Sequence, residues 1–245
     1  MIRPFLAALG AAMLFAAAAC EDGRSYPSDR GDGEYNLQAM MLTDGDMPRG
    51  ITRTDERAFD NEEWSQVFDV EDPEIARTTL EGQSRIGSYI AFFTWEAPQE
   101  HFGTVISITS QSTLYKDEEA AGKALNENRF SACGLLVSEE ETGRAEIFYV
   151  PRIGDESLGM FITQQQSELG ISVDTILCFR TGRVVHAVVQ TGLDGTQDVA
   201  LAVKLAQRML ARVDAAFDGK APPSPTPGAG TTTPEPETSP TPTGG

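Results

Sequence analysis

The chain is short of positive charge, of histidine and of cysteine. Lys and Arg number 19 against 37 Asp and Glu, which gives a formal charge of −18 over 245 residues. A chain this acidic, with a pI near 4.4, argues against tracking of nucleic-acid phosphates, which needs a basic face. It argues equally against adhesion of the folded surface to anionic lipid. The histidines are His101 and His186, and the cysteines Cys20, Cys133 and Cys178. No His-x-x-x-His, Cys-x-x-Cys or His-Glu-x-x-His spacing occurs, so no metal site and no cofactor are expected. A Gly-x-Ser-x-Gly elbow is lacking too. The strings around Ser84 (Gly82 to Gly87) and Ser157 (Gly154 to Gly159) have the wrong spacing, and no phosphate-cradling Gly-Lys-Ser/Thr follows any glycine.

What is present begins at the ends. Met1-Ile2-Arg3 is a short basic start, and Phe5 to Ala19 is an uncharged apolar run of 15 residues. That is too short to cross about 30 Å of hydrocarbon comfortably and fits the apolar region of a secretory signal peptide over residues 1–19. Ala17-Ala18-Ala19 precede Cys20, and charge starts at Glu21. This arrangement resembles the bacterial lipoprotein signal, whose closing Cys is lipidated and becomes the mature N-terminus. The resemblance implies lipidation at Cys20. The family usually carries Leu where Ala17 stands, and an Ala-x-Ala site for plain secretion, or an uncleaved anchor, fits the same residues. Residues 20–34 hold one aromatic and no aliphatic side chain. They are expected to form a flexible tether, with an r.m.s. reach of roughly 20 Å. Residues 221–245 collapse to Pro, Thr, Ser, Gly, two Ala and two Glu, with eight of the chain's 14 prolines. A disordered tail is expected there, solvated or serving as a stalk. A single domain over residues 35–220 remains, long enough for a proper core.

With Cys20 lipidated, Cys133 and Cys178 are left in an exported chain. An oxidising compartment favours a disulfide between them. Closing that loop contributes roughly 3–4 kcal/mol in the chain-entropy account. The alternative is two separately buried thiols.

The domain's pattern is mixed. Asn36 can cap a short helix with Leu37, Met40 and Met41 on one face. Residues 51–82 are mostly polar, with a helix expected from Asp72 to Glu81 and Pro73 in its first turn. Ile86 to Trp95 and Thr104 to Tyr115 read as strands, and Lys116 to Ala132 as a helix burying Ala120, Ala124, Leu125 and Phe130. Further strands are expected at Ala145–Val150, Leu158–Gln165, Ser172–Arg180 and Val184–Thr191, the last two flanking a tight turn at Thr181-Gly182. Val199, Val203, Ala206, Leu210, Val213 and Phe217 form a stripe on one side of a final helix, capped by Asp194 or Thr196. The sum is an α+β fold, a mostly antiparallel sheet with helices packed on one face. The order strand, strand, helix occurs twice, as a pseudo-repeat would.

Chemistry is sparse. His186 reads as a half-buried strand residue. A Cys178/His186 dyad is disfavoured, because a two-residue turn that sets Cys178 opposite Val185 sends the two side chains to opposite faces. Acidic clusters lie at Glu62-Glu63, Asp117 to Glu119, Glu139 to Glu141 and Asp155-Glu156. Acid–base work by such pairs requires a separation only the fold sets. Asp44-Gly45-Asp46 and Asp194-Gly195 with Asp198 are acidic turns that do not match the twelve-residue calcium loop. No catalytic residue is assigned, and no ligand-binding residue.

The run Leu37-x-x-Met40-Met41-Leu42 into Asp46-Met47-Pro48-x-Gly50 is similar to the openings of actinobacterial sensor-type extracytoplasmic lipoprotein domains. Ile153 to Glu156 and Cys178 to Val185 are similar to the same group. The resemblance implies a non-enzymatic binding or sensor-like module on the extracytoplasmic face of the cell membrane. Its partner there is the membrane itself, through the N-terminal lipid. The alternatives are an envelope-interaction protein acting through residues 221–245, and a carboxylate hydrolase.

Overall fold

The computed structural model describes residues 25–68, 72–101, 103–127, 133, 145–166 and 170–220. Cys20, the signal region, the proline-rich tail, Phe130 and the Glu139 to Glu141 cluster lie outside the described residues.

The described strands form one antiparallel seven-stranded sheet. β1 (Ile51–Phe59), β2 (Arg85–Trp95), β3 (Val105–Tyr115), β4 (Ala145–Phe148), β5 (Glu156–Gln166), β6 (Gly170–Thr181) and β7 (Val184–Leu193) are ordered β1-β2-β3-β7-β6-β5-β4. Four α-helices are described: α1 (Asn61–Phe68), α2 (Pro73–Gly82), α3 (Glu118–Glu127) and α4 (Val199–Phe217). The α+β class with an antiparallel sheet is as the sequence implies.

Alternation along the strands assigns each helix its face. Leu177 and Phe179 of β6, Val188 of β7, Ile108 of β3 and Ala91 and Phe93 of β2 pack under Leu205, Ala206 and Met209 of α4. The residues between them point the other way. Ile176, Cys178, Val185, Ala187 and Val189 pack with Ala121, Ala124 and Leu125 of α3. Ile90 of β2 meets Trp64 of α1 and Leu80 of α2. Ile90 pairs with Gln111 and so faces away from α4. Helices therefore cover both faces, which corrects the one-face expectation. The central strands are buried on both sides, so apolar alternation in the sequence could not show which face a helix takes. The pseudo-repeat falls with it. A two-fold axis exchanging the antiparallel neighbours β3 and β7 must stand normal to the sheet, and it would leave α3 and α4 on one face.

β1 was not legible. Only its ends, Ile51 and Phe59, are buried, and the charged residues between them suit an exposed edge strand. The Asn36 helix is a single 3-10 turn over Gln38–Met40, although Asn36 Oδ1 does accept from the Ala39 amide at 3.0 Å. Behind it, Asp46 takes hydrogen bonds from Thr43 and from Arg212 of α4, the latter at 2.7 Å with both side chains 5% exposed. This buried pair fastens the segment to the helix.

The expected tether also differs over its described part. Tyr26 and Tyr35 are 7% and 6% exposed and pack on Phe217. Tyr26, the one aromatic of the expected tether, finds a site on α4 that the segment's own composition does not reveal.

Candidate functional site

In an antiparallel sheet, alternate strand ends meet at one rim. The start of β1, the end of β2, the start of β3 and the turn from β7 into α4 converge in this way. Ile51 pairs with Trp95, and Val105 with Gly192. Between them opens a cleft of about 440 Å³, with Pro48, Ile51, Val105 and Leu201 as apolar wall and Thr104, Thr196, Gln197 and Asp198 as polar rim.

Trp95 is the fixed point of this cleft. Its indole N–H donates to the Val105 carbonyl at 2.8 Å, and His101 stacks on the ring at 3.8 Å between centroids and 13° between planes. Gly50, at φ +96°, lies against the ring, where any side chain would collide with it. Two groups thus hold the indole in place, as a binding wall requires.

The opposite wall is the turn before α4. Thr196 Oγ1 donates to the Leu193 carbonyl at 2.7 Å, and Gln197 reaches back to Asp194 at 3.0 Å. Asp198, rather than Asp194 or Thr196, caps the helix, its carboxylate accepting from the Leu201 amide at 2.8 Å. Gln190, 1% exposed, lies beneath, its side-chain amide 3.1 Å from the Asp198 carbonyl and 2.7 Å from the Ala202 amide; the assignment that satisfies both has its nitrogen donating to the first and its oxygen accepting from the second. The helix end is closed by protein groups and carries a carboxylate. The cleft accordingly presents apolar surface, hydroxyl and amide groups and negative charge, which suits a neutral or cationic organic ligand and disfavours an anion.

Of the side chains weighed from sequence for chemistry or capping, Thr196 and Asp198 border the cleft, and the others lie elsewhere or are otherwise engaged. Cys133 and Cys178 are joined at an S–S distance of 2.06 Å with Cα atoms 5.8 Å apart, and both are wholly buried under α3. His186 is not half-buried but fully enclosed on the α4 face. The turn occupies Gly182-Arg183, so Phe179 stands opposite His186 and Cys178 opposite Ala187. The register is displaced from the expected one, yet the dyad remains split between faces. Ser112 Oγ and Thr181 Oγ1 meet the two His186 ring nitrogens at 2.7 and 2.8 Å, and burial pushes the imidazole pKa down to about 3. The ring is a neutral strut within the core.

Among the acidic clusters, Asp155 and Glu156 serve Arg180 at 3.3 and 2.8 Å, and Asp155 also accepts from the Gly182 amide at 2.7 Å. Burial works against ionisation of Glu156, but bonds from Asn126 and Arg180 outweigh it and hold the carboxyl below its ordinary value. Asp117 caps α3 through the Ala120 amide, and Glu119 pairs with Lys123. Glu62 and Glu63 occupy the exposed first turn of α1. Asp44 accepts from the Arg53 amide. Ser157 Oγ donates to the Pro151 carbonyl at 3.0 Å. The structure brings none of these into the cleft. Among the described residues, no group of three or more His, Cys, Asp or Glu side chains could hold a metal ion, and no helix is long and apolar enough to cross a membrane.

The cleft residues Trp95, Thr104, Gln197 and Leu201 were not singled out from sequence. The usable signal was a tryptophan closing a strand, but its partner loop lies about a hundred residues downstream.

No family model and no curated protein matches the chain. Among solved structures, the fold resembles the crystal structure of the extracellular domain of PknH from Mycobacterium tuberculosis, at 10% identity and a TM-score of 0.48, with 78% of this chain and 99% of that chain covered.

Proposed function

We propose that this chain is an exported domain, held at the extracytoplasmic face of a membrane by an acyl group on Cys20, and that it acts by binding rather than by catalysis. Its ligand is a neutral or cationic organic molecule taken up beside Trp95. The observation carrying this reading is the cleft itself. It has an immobilised indole, an apolar wall and a hydroxyl- and amide-bearing rim. Among the described residues that line it, the one ionisable group, Asp198, is committed to capping α4. The buried disulfide supports export, because such bonds persist in oxidising compartments.

The test is amide and indole NMR of the protein titrated with a neutral probe, octyl glucoside below its micelle concentration, and a cationic one, hexyltrimethylammonium. The Trp95 indole and the Thr104 and Gln197 amides are expected to shift with at least one of them, and Leu201→Trp, which fills the cleft, is expected to abolish the shifts. Perturbations confined to other surfaces, or binding unchanged in Leu201→Trp with a well-dispersed spectrum, would contradict the reading.

A further inference from the structure

Residues 25–35 close the C-terminal end of α4. Tyr26 donates to Asp214 at 3.1 Å and Tyr35 to the Pro27 carbonyl at 2.8 Å. Both rings contact Phe217, at 5.6 and 6.0 Å between centroids. Arg30 donates to the Phe217 carbonyl at 3.0 Å, supplying a cation where the helix dipole is negative. Arg183, in the turn between β6 and β7, donates to the Arg30 carbonyl at 2.9 Å and pairs with Asp32 at 2.5 Å. The segment is thus tied to α4 and to the β6–β7 turn together.

We infer that this segment is a clasp rather than a spacer, and that it makes the C-terminal end of α4 the lipid-facing end of the domain, with the Trp95 cleft opening on the opposite side. The inference rests on the acylated Cys20 proposed above. Five residue steps separate Cys20 from Ser25, and fully extended they span at most about 18 Å. A free linker running to Tyr35 would allow about 50 Å. The clasped end therefore stays close to the bilayer. The cleft lies at the first turn of α4, and a helix of this length is about 27 Å long. With a charge of −18 over the whole chain, the protein gains nothing by lying side-on against anionic headgroups. The partner of the clasped end is the bilayer surface, and the cleft addresses ligands beyond it.

The test uses the full acylated chain on vesicles of phosphatidylcholine and phosphatidylglycerol carrying a headgroup energy acceptor. A donor dye is placed at Lys220→Cys, by the clasp, or at Ala200→Cys, at the cleft end. Both positions are exposed, and the other thiols are bonded. Energy transfer is expected to be several-fold stronger from position 220 than from position 200. A Gly/Ser insert of about fifteen residues after Glu21 is expected to weaken transfer from position 220, since it lengthens the leash without touching the clasp. Equal or reversed transfer in protein that floats with the vesicles overturns the inference while the anchor stands. Failure to float, with an unmodified Cys20 by mass, overturns the anchor and the inference together.

Discussion

His186 shows how far a single residue can be read before its surroundings are known. Valines on both sides place it in a strand, which is where it lies. That it is wholly enclosed follows from β7 occupying the middle of the sheet, a matter of strand order that no local pattern carries. The consequence is a pH dependence. The imidazole titrates near 6.5 in an unfolded chain and at about 3 when folded, because burial disfavours its charged form. Between those values the unfolded chain binds a proton that the native one does not, so stability falls as pH falls. Asp174 acts in the opposite sense at the acid end. Burial raises its pKa, outweighing the bond from Thr191, so the native state retains a proton there that the unfolded state loses. Urea unfolding is expected to show a loss of about 1 kcal/mol between pH 7 and pH 5.5. His186→Gln is expected to remove most of that difference, whatever its effect on absolute stability. An unchanged pH slope in the variant would show that the ring is not the source.

Among the elements, α4 was the most legible. Its apolar stripe repeats over five turns, and the helix runs from Val199 to Phe217 with Leu205, Ala206, Met209 and Val213 buried. Its cap is not legible in the sequence because Asp194, Thr196 and Asp198 all offer an oxygen, and only the turn at Asp194-Gly195, with Gly195 at φ +88°, leaves Asp198 at the start of the helix. β1 and α1 were invisible for a different reason. Each buries only a few apolar side chains against β2, so neither carries a period of its own. The Cys133–Cys178 bond shows an element contact that composition did foreshadow. Two cysteines in a chain that reads as exported implied a pair, and the pair joins the stretch after α3 to the middle of β6. Cys178→Ala is expected to cost about 2–5 kcal/mol and to leave Cys133 reactive, measured by denaturant unfolding and by thiol labelling of the denatured, unreduced protein. Wild-type protein should label at neither position. Ready labelling of both would mean that the cysteines are only small core residues.

At the scale of the whole molecule, the α+β class and most strand positions were present in the sequence, while the cleft and the clasp were not. Both are built by contacts between distant stretches: Trp95 with the turn before α4, and Tyr26 and Tyr35 with Phe217. Such contacts exist only once the strand order brings one rim together and the last helix runs back across the sheet. The clasp gathers the N-terminal segment at one end of α4 and the cleft occupies the other, a polarity that the proposed anchor at Cys20 would use. The central claim is that this domain is held at a membrane surface through that cysteine. Intact mass measurement and fragmentation of the N-terminus of protein isolated from the envelope test it most directly. The account predicts a mature chain that starts at Cys20 with a diacylglyceryl thioether on its sulfur. A chain that starts elsewhere, or carries an unmodified Cys20, would contradict it.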